Sequence, residues 1–251
     1  MKYARFLIQD NERCSRNTMQ KSSVIADAKK LLGENQIEKA RDHLLEGGFT
    51  KQLDPKVQEA FLKLIPVNQD LNEWLNGPIR QLQDRDPKVR RNAARQIRVH
   101  AMKEITLRRK AWMADPRTTG PLIQALRDPN DPVVEEVAGA LAMIIKRYFP
   151  DLRAFDPLAS LLASKRKGTR HYAVLGVGWL DREDRWDLLV PFLTDKAFEV
   201  RRAAARVVVF KADSATISHK TRAAMREALQ KSPDKDGIHG DLTRNAIATL
   251  G

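Results

Sequence analysis

The feature that most constrains this chain is an internal repeat. A short apolar helix with Pro near its start runs into an Asp-containing turn. A second helix then opens on a branched apolar residue followed by basic residues and an alanine pair. The clearest copies read PIRQLQDRDPKVRRNAARQI from Pro78 to Ile97 and LLVPFLTDKAFEVRRAAARVVV from Leu188 to Val209. A third, from Pro121 to Ile144, keeps the Asp-Pro turn and the apolar register but puts Glu135 and Glu136 where the other copies have an Arg pair. A fourth, weaker copy runs from Asp156 to Leu180, and Thr221 to Gly251 reads as an end repeat with Leu242, Arg244 and Ala246 in the equivalent places. Val89, Val134, Thr169, Val200 and Leu242 serve as equivalent anchors, at the spacing a helical hairpin needs. One such hairpin cannot bury its apolar face alone, so the copies must stack.

Local chemistry agrees with that reading. Val89, Ala93, Ile97 and Ala101 recur every four residues and form the apolar face of a second helix, which Asp86-Pro87 starts with a cap and a proline at the first helical position. Asp156-Pro157 repeats the cap chemistry, and Gly77-Pro78 and Gly120-Pro121 read as chain breaks before helix starts. Aromatic content is 6%, too low for a β-sandwich, while Ala, Leu, Val, Arg and Lys suit helices that pack through small and aliphatic side chains. The glycines of Gly176-Val177-Gly178 fall in a helical pattern and imply close packing.

These strings resemble HEAT repeats over roughly residues 54 to 251. The resemblance implies an all-α fold, an α-solenoid of about five to six HEAT-like hairpins, in which second helices line the concave surface. Residues 53 to 251 are assigned to the solenoid and residues 1 to 20 to a polar extension. Residues 21 to 52 form a helical hairpin cap, similar to a single tetratricopeptide hairpin through Ala28, Leu31, Ile37, Ala40 and Leu44 with a turn at Gly33-Glu34-Asn35. A repeat signature defines architecture and leaves activity open.

Forty-five Lys and Arg against thirty-two Asp and Glu give a formal charge of +13, a field that attracts acidic proteins, nucleic acid or anionic membrane. The field is patchy. Residues 85 to 110 hold ten basic and two acidic side chains, net +8, whereas residues 116 to 151 hold four basic and five acidic, net −1. Cys14 is alone, which excludes an intramolecular disulfide and points to a reducing compartment. The N-terminus lacks a secretory apolar core, and no stretch is long and charge-free enough to span a bilayer, so a cytoplasmic protein without membrane insertion is expected.

Candidate binding residues follow from register. Positions two, six and nine after the anchor lie on one face, opposite the apolar one. They give Arg91, Arg95 and Arg98 in the first clear copy, the row Arg91, Glu136, His171, Arg202 and Arg244 across copies, and Arg206 in the next row. Two basic patches, Arg91-Arg95-Arg98 and Arg202-Arg206, separated by a strip around Glu136, are expected to take an acidic protein partner or nucleic acid. The run Lys165-Arg166-Lys167-Gly168-Thr169-Arg170 adds four cations on a predicted exposed loop, and Arg108-Arg109-Lys110-Ala111-Trp112 sets cations beside an aromatic. Arg90 and Arg201, next to their anchors, are expected to pair with turn acids such as Asp84, Asp128 and Asp195.

Catalytic signals are sparse. The five histidines are scattered without metal-ligand spacing, and no phosphate-binding or nucleophile-elbow glycine motif occurs, so no metal, cofactor or enzymatic activity is expected. Two enzyme families share helical repeats, the alkylpurine DNA glycosylases and the phycobilin lyases. Trp179, Asp181 and Trp186 offer the nearest composition to a carboxylate beside stacking aromatics.

Overall fold

The computed structural model describes residues 23–103, 112–212, 217–234 and 240–251. The run Arg108-Arg109-Lys110-Ala111 and Cys14 lie outside them, as does the extension 1 to 20. Every regular element among the described residues is helical, and the chain divides into two units, Met1–Asn68 and Gln69–Gly251.

The first unit holds α1 (23–33), α2 (Ile37–Leu45), which runs on into a wide turn at Glu46–Thr50, and α3 (Pro55–Leu64). Asn35 takes a left-handed φ of 58° at the α1–α2 turn, a conformation Asn tolerates because its short side chain bonds locally. Asp54 caps α3 by accepting from the Lys56 amide at 2.9 Å, with Pro55 at the first helical position. The core is Ala28, Ala40, Leu44, Phe49, Val57 and Phe61, with the two phenylalanines edge to face at 5.5 Å. Ile37, read as part of the apolar face, is instead exposed. Helix α3 lies within this unit, because Gly48 and Phe49 pack against Val57 and Phe61 so closely that a Cβ on Gly48 would sit 2.9 Å from Val57.

Among its described residues the second unit holds five helical hairpins. Their first helices are α4 (Gln69–Trp74, continued by Leu75–Ile79), α6 (Pro116–Ala125), α8 (Phe155–Ser160), α10 (Arg185–Leu189, continued by Val190–Thr194) and α12 (His219–Gln230). The second helices are α5 (Pro87–Met102), α7 (Asp131–Arg147), α9 (Lys167–Trp179), α11 (Phe198–Lys211) and α13 (Gly240–Thr249). Consecutive second helices pack on one another, α5 on α7, α7 on α9, α9 on α11 and α11 on α13, and form one continuous layer. The hairpin stack is the α-solenoid read from the repeats.

Apolar faces of the second helices supply the core: Ala93, Ile97 and Ala101 on α5, Val137, Leu141 and Ile144 on α7, Ala173 and Val177 on α9, Val200, Ala204 and Val207 on α11. Each aliphatic side chain buried this way contributes on the order of 1.5–3 kcal/mol. Small residues let the layer close up. A Cβ on Gly176 would stand 2.6 Å from Leu158, and one on Gly178 would overlap Val207. Close packing is therefore what those glycines serve.

Helix starts follow the capping chemistry, with two displacements. Asp86 caps α5 through the Lys88 amide, as read. Gly120-Pro121 lies inside α6, because Asp115-Pro116 starts that helix five residues earlier and the Asp115 carboxylate takes the Arg117 amide at 2.8 Å. Asp156-Pro157 likewise lies within α8, and the capping carboxylate is Asp151, which accepts from the Arg153 amide at the start of the 3-10 turn Leu152–Ala154 that leads into α8. Gly77-Pro78 is a kink inside the first helix, where Gly77 takes the non-helical ψ of −111°.

Candidate binding surface

Charge in the repeat unit falls into two populations, and geometry separates them. The first forms a ladder along the inter-helix turns. Arg90 donates to both carboxylate oxygens of Asp128 in the next repeat and to the carbonyls of Asp84 and Arg85 in its own turn. Arg170 makes the same set with Asp195, Ser164 and Lys165, and Arg201 with Asp234, Asp195 and Lys196. Each guanidinium thereby closes its own turn and ties it to the following one. Burial would raise the Asp128 and Asp195 carboxyls, but the hydrogen bonds from arginine and from the Asn130 and Ala197 amides outweigh it and hold both below the ordinary value.

Arg170 thus differs from the sequence expectation. It was placed on an exposed basic loop, yet it is 7% exposed and its guanidinium is committed to Asp195 and two turn carbonyls. Its position directly after the anchor, shared with Arg90 and Arg201, is the physical reason. At the α7–α9 joint the ladder reverses polarity. Glu135 stands after its anchor and accepts from Arg166, which sits in the next turn, at 2.9 Å.

Other members of the expected patches are also engaged. Arg98 is half-buried, donates to Glu136 at 2.8 Å and lies 5.9 Å from the Tyr172 ring centre, so the strip at Glu136 is neutralised by its neighbour. Lys167 pairs with Glu199 at 2.8 Å, and His171 Nδ1 meets the Glu199 carbonyl at 2.9 Å. Arg244 pairs with Asp241 on its own helix. Ala140 and Leu175, six residues past the anchors Val134 and Thr169 as Arg95 and Arg206 are past theirs, are buried.

The second population is unpaired. Arg91 and Arg95 on α5 and Arg202 and Arg206 on α11 are exposed, and among the described residues none has an ion pair; Lys165 is likewise exposed. Both stripes run on into apolar surface: Val99 and Met102 follow on α5, 38% and 50% exposed, and Phe210 follows on α11, 61% exposed.

A further cluster went unread in the sequence because it needs three helix ends together. Trp179 ends α9, and its ring centre lies 5.3 Å from Lys146 Nζ of α7 and 5.4 Å from Lys211 Nζ of α11. Burial, then the like charges of Arg206 and Arg147, push the Lys146 ammonium below its ordinary value.

Trp186, named for a glycosylase-like constellation, is 1% exposed, and Asp181 is tied to Arg185, whose hydrogen bond is the main cause holding its carboxyl low. Trp112 is buried against Trp74 at 3.8 Å between ring centres. Among the described residues no group of three or more His, Cys, Asp or Glu side chains could hold a metal ion.

Residues 75–168 match the family model of HEAT repeats. No curated protein matches the sequence. Among solved structures, a designed armadillo repeat protein in complex with the peptide (KR)4 is similar over 91% of this chain and 97% of its own, at 18% identity and a TM-score of 0.53. Another computationally designed armadillo repeat protein for modular peptide recognition matches over 90% and 98%, also at 18% and 0.53. An engineered protein matches over 73% and 80%, at 19% and 0.54. Residues 75–168 thus carry the HEAT-repeat signature, and the stacked hairpins together with these likenesses show a helical-repeat solenoid fold.

Proposed function

We propose that this chain is a non-catalytic scaffold that binds an acidic segment of a protein partner across the exposed arginines of its second helices. One observation carries the reading. Turn arginines are consumed by the fold, while Arg91, Arg95, Arg202 and Arg206, two and six residues past their anchors, stand exposed without a counter-ion among the described residues. An extended solenoid surface suits a peptide or a protein face better than a small substrate. The similar designed protein accompanies a wholly basic peptide, and a chain of net charge +13 calls for the opposite sign. Lys165 extends the positive field at the turn edge, beside the Arg166–Glu135 pair. The lone cysteine supports a role in a reducing compartment such as the cytoplasm, and no helix among the described residues is long and apolar enough to cross a membrane.

The same unpaired arginines also suit phosphate, which makes nucleic acid the alternative partner. Fluorescence anisotropy with a 20-residue glutamate-rich peptide and a 20-nucleotide DNA, each from low to moderate salt, separates the two. The scaffold reading expects saturable peptide binding that weakens at least tenfold in Arg91→Glu/Arg95→Glu/Arg202→Glu. Tighter DNA binding with a steep salt slope, lost in the same variant, would replace it.

A further inference from the structure

We infer that the Trp179 end of the second-helix layer is an anchoring subsite for an apolar residue flanked by carboxylates on the partner, so that the scaffold selects an amphipathic acidic segment over a merely acidic one. The inference rests on the reading above and adds what the partner must carry besides charge.

Three helix ends build the subsite. Lys146 lies in the last turn of α7, Trp179 closes α9 and Lys211 closes α11, and the two ammonium groups stand 5.3 and 5.4 Å from the one indole. Cations at helix C-termini often serve the helix itself by bonding its last carbonyls. Arg147 serves the neighbouring helix instead, donating to the Ala101 and Met102 carbonyls that end α5. Lys146, one residue away, bonds no carbonyl or carboxylate among the described residues. Among the described residues, the nearby acid Asp181 is engaged by Arg185 at 2.5 Å, and its carboxylate helps offset Lys211 without bonding it. Positive charge is therefore left over where Lys146 and Arg206 repel one another, and burial with that repulsion depresses the Lys146 ammonium. An incoming carboxylate would relieve both.

Apolar surface adjoins this charge. Phe210 lies one turn beyond Arg206 on α11 and is 61% exposed, the most exposed of the large hydrophobic side chains among the described residues. On α5 the order is the same, with Arg91 and Arg95 followed by Val99 and Met102. Cation, cation, apolar is thus written twice along the layer, and a partner matching it presents carboxylates and then a bulky apolar group. Nucleic acid offers phosphate uniformly and has no reason to follow that order.

The test uses the full chain and two labelled 20-residue peptides of equal charge, one with Leu and Phe interspersed among glutamates, the other with Ser in their place. Wild type should bind the amphipathic peptide about tenfold more tightly. Phe210→Ser should abolish that preference while retaining affinity for the serine peptide. Lys146→Met and Lys211→Met should each weaken the amphipathic peptide roughly three- to fivefold, with the circular dichroism melt unchanged or raised. Equal binding of the two peptides to wild type, or variants that leave the preference intact, would overturn the subsite. If Arg91→Glu/Arg95→Glu/Arg202→Glu still loses both peptides in that case, the acidic-partner reading survives its failure. A DNA strand that binds more tightly and depends on Lys146 and Lys211 would overturn the subsite in favour of phosphate.

Discussion

The two ends of the second helices treat charge in opposite ways. At the turn end Arg90, Arg170 and Arg201 each meet a carboxylate of the neighbouring turn and the carbonyls of their own. At the other end Lys146 and Lys211 gather about Trp179, and no carboxylate among the described residues is bonded to them. A charge that is bidentate, part-buried and hydrogen-bonded holds repeats in register, whereas a desolvated charge left without a partner is a cost that persists only where something else offsets it. The stack is stapled along one edge, and the other edge is the one proposed to take the partner.

Breaking the staple should have the largest effect. Asp195→Ala strands the Arg170 guanidinium, whose side chain is 8% exposed, and removes the Ala197 cap. The expected cost is about 3 kcal/mol in urea unfolding. A loss under about 0.5 kcal/mol would reduce the ladder to an ordinary surface pair.

The reversed rung sharpens the comparison at smaller magnitude. Glu135→Arg puts two cations together at the α7–α9 joint and should cost about 1 kcal/mol, and adding Arg166→Glu should recover most of it. Failure of the double variant to recover would mean that packing around Gly168, where a Cβ would meet the Glu135 carboxylate, matters more than the charge pair.

Proton linkage tests both ends. Asp128 and Asp195 have folded values below the ordinary carboxyl value of 3.8, so they contribute stability that is present above that pH and lost as pH falls through the folded value. Acid unfolding of Asp128→Asn should accordingly show a shallower slope below pH 3.8 than wild type. Lys146 runs the other way. Its folded value lies below 10.5, the unfolded chain binds the extra proton in the window between them, and stability should rise with pH there. The smallest expected effect is that of Lys146→Met, which should raise stability by a few tenths of a kcal/mol and flatten that alkaline rise.

Much of the turn end was legible in the sequence. The anchors Val134, Thr169 and Val200 are buried as their register requires, and Arg90 and Arg201 pair as their place after an anchor implies. Arg170 occupies that same place, and the signal was present, but the surrounding lysines and arginine read as one exposed basic loop. Helix starts slipped where an earlier aspartate, Asp115 or Asp151, outcompeted a proline further on. The Trp179 cluster was not legible because residues 146, 179 and 211 meet only through the stacking of three hairpins, which no local pattern encodes.

The partition of charge is most directly tested by measuring the affinity of the amphipathic acidic peptide for wild type beside Arg91→Glu/Arg95→Glu/Arg202→Glu, both shown folded by their melts. A loss of at least tenfold with the melt unchanged is the expected result, because those arginines form no ion pair among the described residues. Unchanged affinity, or a melt that collapses with the substitutions, would contradict the division between arginines that build the stack and arginines that bind.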